Sequence, residues 1–181
     1  MLKIIIPDGE LWDEYNERFI HTKAVTLKLE HSLISISKWE SKWCVPFFET
    51  EKTSEQVLDY IKCMTLNTDV DPLVYNNLTR RDIDTINNYI AAPMTASKVT
   101  PDKRSHKQSN EYVTSELIYY WMIAYNIPVA FEKWHLNRLI MLIQICSEKN
   151  KPAEKMSRNE IVRQHRAVNQ ARRAKAKSKK R

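Results

Sequence analysis

The spacing of apolar positions changes along this chain, and each change marks an element. Leu2–Ile6 is a short β-branched run closed by Pro7-Asp8-Gly9, and it reads as a strand ended by a turn. Residues 24–29 alternate Val25, Leu27 and Leu29 against Thr26 and Lys28, a half-buried strand expected to pair with the first. Between them, Leu11, Tyr15 and Phe19 fall at i, i+4 and i+8, which predicts a short helix over 10–20.

Residues 31–43 fit either period. Ile34 and Ile36 alternate as in a strand, while Leu33, Ile36, Trp39 and Trp43 step by three and four. The unbroken length and Ser32 as a cap favour helix, closed by Pro46. From there the pattern is helical. Thr53-Ser54-Glu55-Gln56 is a capping box opening Ser54–Met64, with Val57, Ile61 and Met64 on one side. Asp71-Pro72 opens 73–78 with a cap and a first-turn proline. Thr79-Arg80-Arg81-Asp82 opens 82–91, with Ile83, Ile86 and Ile90 inward and Pro93 beyond the end. Residues 95–110 are polar, partly basic and free of aromatics, which predicts an exposed loop. Thr114 or Ser115 caps 116–125, whose apolar positions include Leu117, Tyr120, Trp121 and Ala124, and Asn126-Ile127-Pro128 breaks it. Residues 131–147 carry the strongest helical pattern. Trp134, Arg138, Met141 and Ile145 run down one side, and Leu136, Leu139, Ile140 and Ile143 down another, as expected of a helix central to a core. Ser157-x-x-Glu160 is a further capping box and starts a helix at Arg158.

The expected fold is therefore mainly α with a small N-terminal β element (α+β), a helical bundle body with a basic C-terminal helix. Residues 1–50 hold the strands and a Trp-rich segment packing on the body. Residues 51–154 form the helical body with its loop about 95–110, and 155–181 form the basic tail.

Charge sharpens that division. The net charge is +7 over 181 residues, but 155–181 holds eleven Lys and Arg against the single acid Glu160, a charge of +10. The remainder has 18 basic and 21 acidic residues and carries −3. A body of about 150 residues buries about two-thirds of its unfolded surface, enough to fold without disulfide or metal staples. Gly9 is the only glycine. Walker loops, dinucleotide-binding turns, kinase glycine loops and GxSxG elbows each need more than one, so cofactor sites of those kinds are excluded. Asn67, Asn126 and Asn150 are expected to take left-handed conformations in place of glycine. Cys44, Cys63 and Cys146 are odd in number, lie far apart, lack metal-ligand spacing and read as buried thiols in a reducing compartment. The N-terminal stretch MLKIIIPDGELWDEY lacks the pattern of a signal peptide. The most apolar region, 118–146, is interrupted by Glu132, Lys133, His135 and Arg138, so no membrane span is expected.

No catalytic or metal-ligating constellation stands out. Glu132 and His135 sit at the i, i+3 spacing of carboxylate-bridged metal sites, but such sites use two motifs and this chain has one. His135 is thus read as structural. Of the five tryptophans, four occupy helix-periodic apolar positions and are assigned to packing, with stacking on a ligand as the rival reading. Lys38, Glu40 and Lys42 look like the wet side of one helix. The basic tail leaves three readings open. Arg158, Arg163, Arg166, Arg172, Arg173, Lys175 and Lys177 suit nucleic-acid phosphates, or an acidic protein partner, or solvent alone. Without an aromatic residue the tail cannot stack on bases.

Three stretches, LEHSLISISKWESKW followed by VPFF, EKWHLNRLIMLI, and EKMSRNEIVRQHRAVNQARR, resemble a family of small tailed-bacteriophage proteins placed as tail assembly chaperones, encoded beside the tape-measure gene. The resemblance covers about 27–173. It implies a non-enzymatic protein of the host bacterial cytoplasm that keeps tape-measure helices soluble and helps tail-tube subunits assemble on them. A structural tail or connector protein of the virion is the alternative within the same resemblance, self-association is a further expectation, and no cofactor or membrane is implied. Such a chaperone needs an apolar groove between its own helices. The apolar surplus of 116–147, with Trp121, Met122, Trp134, Arg138 and Met141 as the candidate partner-binding residues, supplies one unless these side chains simply pack together.

Overall fold

The computed structural model describes residues 1–13, 17–97 and 112–150, and in the C-terminal segment 162, 163, 165–170 and 172. The chain is mainly helical with a small antiparallel β element at its N-terminus. It divides into two compact units, Met1–Lys149 and Asn150–Arg181.

Strands β1 (Leu2–Ile6) and β4 (Val25–Leu29) pair antiparallel, with Ile4 opposite Leu27 and Ile6 opposite Val25. The alternation seen in sequence is the alternation of burial: Ile4, Ile6, Leu27 and Leu29 point into the core. The outer edge of β4 is covered by the segment after the second helix, where Leu66 N–H donates to Lys28 O at 2.8 Å. Asn67 does not take the left-handed conformation expected of it. Its amide instead imitates a strand, accepting from Lys28 N–H at 2.7 Å and donating to Thr26 O at 3.1 Å.

The helix expected over 10–20 is replaced by a β-hairpin, β2 (Gly9–Asp13) and β3 (Arg18–Thr22). Cross-strand chemistry outweighs the i, i+4, i+8 pattern. Trp12 and Phe19 face each other edge-to-face at 4.9 Å, and Glu10 meets His21 at 3.3 Å. At the base, Thr22 Oγ1 donates to Gly9 O at 3.2 Å and accepts from Asn77 Nδ2 at 2.7 Å. A Cβ on Gly9 would lie 2.9 Å from that Asn77 nitrogen, so the lone glycine serves close approach rather than a left-handed turn.

Helix α1 (Leu33–Trp43) starts at a reciprocal Ser32–Ser35 capping box and ends at Cys44, which takes a left-handed conformation (φ 53°). Helix α2 (Ser54–Met64) opens at the Thr53–Gln56 box. Pro72–Asn77, expected as an ordinary helix, is a 3-10 turn capped by Asp71, and α3 (Arg80–Ala91) opens at the Thr79–Asp82 box. Helix α4 (Ser115–Ala124) is capped by Thr114. Of the three asparagines, Asn126 alone is left-handed (φ 53°), just past the end of α4. Helix α5 (Leu136–Asn150) follows a 3-10 turn over Val129–Lys133, so it begins five residues later than its pattern suggests. Trp134 and His135 are held out of the helix by long-range pairing: His135 bridges to Ser32, and Leu136 N–H donates to His31 O at 2.7 Å.

The core is built from Leu27, Leu29, Leu33, Ile36, Trp39, Met64, Ile118, Leu136 and Leu139, all fully buried. Trp39 is the one tryptophan that is wholly core, its Nε1–H donating to Gln56 O at 3.0 Å. Trp43 and Trp121 are half-buried and pack against this core, as their assignment to packing expects, whereas Trp134 is half-buried outside it and Trp12 is exposed. The thiols are less buried than expected, with Cys44 exposed and Cys63 and Cys146 half-buried. Glu40, expected on the wet side of α1, is 7% exposed and bridges elements: its two oxygens accept from Phe47 N–H and Ser115 N–H, each at 2.8 Å.

Of the loop expected over 95–110, only 95–97 lie among the described residues. The capping box at Ser157 and the helix start at Arg158 lie outside them. The described tail residues from 162 to 172 are helical and exposed. No helix among the described residues is long and apolar enough to cross a membrane.

Candidate functional site

Helix α4 reads SELIYYWMIA and carries no charge after Glu116. Only Ser115, Ile118 and Met122 of it are buried, a single stripe against the core. Of the apolar positions read in the sequence, Leu117 and Trp121 are half-buried, and the helix is turned so that Tyr120 and Ala124 face outward. The rotation is fixed at the first turn, where Glu40 Oε2 holds Ser115 N–H and Thr114 Oγ1 caps Leu117 N–H at 3.4 Å. A helix apolar around its whole circumference gives its sequence no preference among faces, so the buried carboxylate decides. As a result Tyr120 is 63% exposed and Ile123 72%. These two sit at i, i+3 and form neighbouring apolar side chains on the outer face.

Two grooves flank α5. The first, about 550 Å³, lies between α4 and α5 and includes Phe48, Val113, Trp121, Tyr125, Ile140 and Ile143 in its lining, with Glu49 at its edge. The second, about 370 Å³, is lined by Trp134, Arg138, Met141, Leu142 and Ile145 together with 94–97. Four of the five candidate residues therefore fall on two separate surfaces: Trp121 in the first, and Trp134, Arg138 and Met141 in the second. Met122 is 1% exposed and belongs to the core, so no partner touches it.

Beside the second groove, Phe131 stacks on Trp134 at 3.9 Å with planes 16° apart, and the Arg138 guanidinium lies 4.0 Å from the Trp134 ring centre. Tyr119 donates to Glu132 at 2.8 Å, tying α4 to the 3-10 turn before α5, and burial with this carboxylate raises the phenol's pKa.

Glu132 is thus engaged away from His135, and the metal-like pair suggested by spacing does not form. Among the described residues no three His, Cys, Asp or Glu side chains gather as a metal site. His135 is satisfied internally, its Nε2 3.1 Å from Tyr89 O and its Nδ1 accepting from Asn137 N–H at 3.3 Å. It lies against His31, ring centres 5.2 Å apart, and His31 Nδ1 is 2.5 Å from Tyr60 Oη. Burial, then the neighbouring His135, pushes the His31 pKa down to about 3. Burial raises Tyr60, and it also lowers His135. This is a closed, neutral polar cluster inside the body.

In the tail, Arg163, Arg166 and Arg172 are helical and exposed, while Arg158, Arg173, Lys175 and Lys177 lie outside the described residues. Val162 and Val168 are also largely exposed. Sequence reasoning missed the outward face of α4 and the role of Glu40. The run SELIYYWMIA, too apolar for a helix buried along one stripe, was the available signal.

Compared with models of protein families, with curated proteins and with solved structures, the chain matches none.

Proposed function

We propose that this protein is a non-enzymatic assembly chaperone of a phage tail that binds amphipathic helices of a tape-measure protein and releases them as tail-tube subunits assemble. The observation that carries the binding part of this reading is α4, a helix apolar on all sides with only one stripe buried. Exposed apolar side chains grouped on one helix face mark a contact site for another chain. The first groove lies on another side of the same helix, where Trp121 and Tyr125 offer aromatic anchors. The phage assignment comes from the three resembling stretches. Two of them meet in space where His31 O accepts from Leu136 N–H, so they build one junction rather than scattered pieces.

Co-expression tests it. An insoluble tape-measure fragment should become soluble and co-purify with this protein. A fragment that stays insoluble counts against the chaperone reading.

A second reading draws on the exposed arginines of the tail helix: binding of nucleic-acid phosphates. Its mark is a DNA affinity that falls steeply with salt and disappears when 155–181 is removed.

A further inference from the structure

The second groove holds one ionisable side chain, Arg138, among Met94, Thr95, Ser97, Trp134 and Met141. The guanidinium rests on the Trp134 face, and Phe131 covers the opposite face of the same indole. Stacking of this kind holds an arginine's planar fork in place, so less conformational freedom is lost when it engages a ligand. No described carboxylate pairs with Arg138, and the residue is exposed. A preorganised cation beside the side chains of Met94, Trp134 and Met141 is charge-complementary to a carboxylate carried next to apolar side chains. Met94 and Met141 provide a floor that adapts to different shapes. The indole has both faces occupied and cannot stack on a base, which argues against nucleic acid at this groove.

We infer that this groove is a docking site for an amphipathic helix of a partner protein whose apolar stripe is bordered by Glu or Asp, one carboxylate pairing with Arg138. The inference rests on the partner-binding reading only in taking the occupant to be a helix of another chain. It adds a requirement on that helix, an acidic border, and assigns the selection to one residue.

The test uses the full-length protein and three synthetic amphipathic helices that share one apolar face and differ only in border residues: Glu, Gln or Lys. Isothermal titration at two salt concentrations gives affinities for wild type and Arg138→Gln, with circular dichroism confirming that the variant is folded. The Glu helix should bind about tenfold tighter than the Gln helix, a typical return for one well-placed charged pair. Arg138→Gln should remove most of that preference and leave Gln-helix affinity within about threefold. The basic tail is unchanged in the variant, so a preference that survives Arg138→Gln belongs to the tail and overturns the inference. A Lys helix that binds as tightly as the Glu helix overturns it too. So does a single-stranded DNA 20-mer whose binding depends on Arg138. Binding of the Glu helix through Arg138, with no rescue of tape-measure solubility, would remove the chaperone reading and leave this site standing.

Discussion

Glu40 and Ser115 are separated by 75 positions, and the carboxylate of one accepts the backbone N–H of the other at 2.8 Å. The second Glu40 oxygen takes Phe47 N–H at the same distance. One buried side chain thereby joins α1 to the first turn of α4 and to the segment leading toward α2. Because this bond sets the rotation of α4, it also determines which apolar side chains face outward.

Glu40→Gln replaces one acceptor oxygen by an NH₂ group, which cannot accept from an N–H. One of the two amides is then buried without a partner. We expect a loss of about 1–3 kcal/mol of stability, the usual cost of orphaning a buried donor, read as a lower urea midpoint with an unchanged m-value. A variant as stable as wild type would show that the bridge does not hold α4.

Acid should weaken the fold through His31. The unfolded chain takes up its proton near pH 6.5, whereas the folded chain resists until about pH 3. Stability is therefore full above 6.5 and falls as the pH drops from 6.5 toward 3. At pH 5 the loss from this group is about 2 kcal/mol. His135, also lowered by burial, adds in the same direction. Urea midpoints at pH 7.5, 6 and 5 measure the effect, and His31→Asn should flatten the slope in that window. A wild-type midpoint independent of pH there would contradict the buried neutral pair.

At the base of the hairpin, Gly9→Ala should push the Asn77 amide away from Thr22. The hydrogen bond lost is worth about 1 kcal/mol, and the alanine returns part of that by restricting the unfolded chain. The expected net change is below about 1 kcal/mol, accompanied by faster amide exchange confined to β2 and β3. Exchange that accelerates throughout the body would mean that the hairpin supports the core, which its exposed Trp12–Phe19 pair argues against.

Much of this architecture is legible where local chemistry decides alone. The Thr53–Gln56 and Thr79–Asp82 capping boxes name their own helix starts, and the alternation of Val25, Leu27 and Leu29 sets the register of β4 on β1. Legibility ends where a distant residue decides. Nothing near residues 10–20 announces that Asn77 anchors the base of a hairpin. The start of α5 depends on Ser32 and His31, over a hundred positions away. The outward face of α4 is hidden for a related reason: hydrophobic periodicity carries no information in a helix that is apolar everywhere, and the residue that orients it lies in α1. The same separation explains the candidate site. Trp134, Arg138 and Met141 share a helix side in sequence and a groove in space, whereas Met122 was grouped with them by composition and lies in the core.

The outer face of α4 tests the account most directly. Tyr120→Ser combined with Ile123→Ser removes exposed apolar surface and touches no buried residue, so circular dichroism and the urea midpoint should match wild type. In a co-expression and sedimentation assay with a tape-measure fragment, wild type should hold the fragment in the supernatant and the double variant should lose most of it to the pellet. Equal amounts of soluble fragment with both proteins, or none with either, would contradict the claim that this face grips a helical partner.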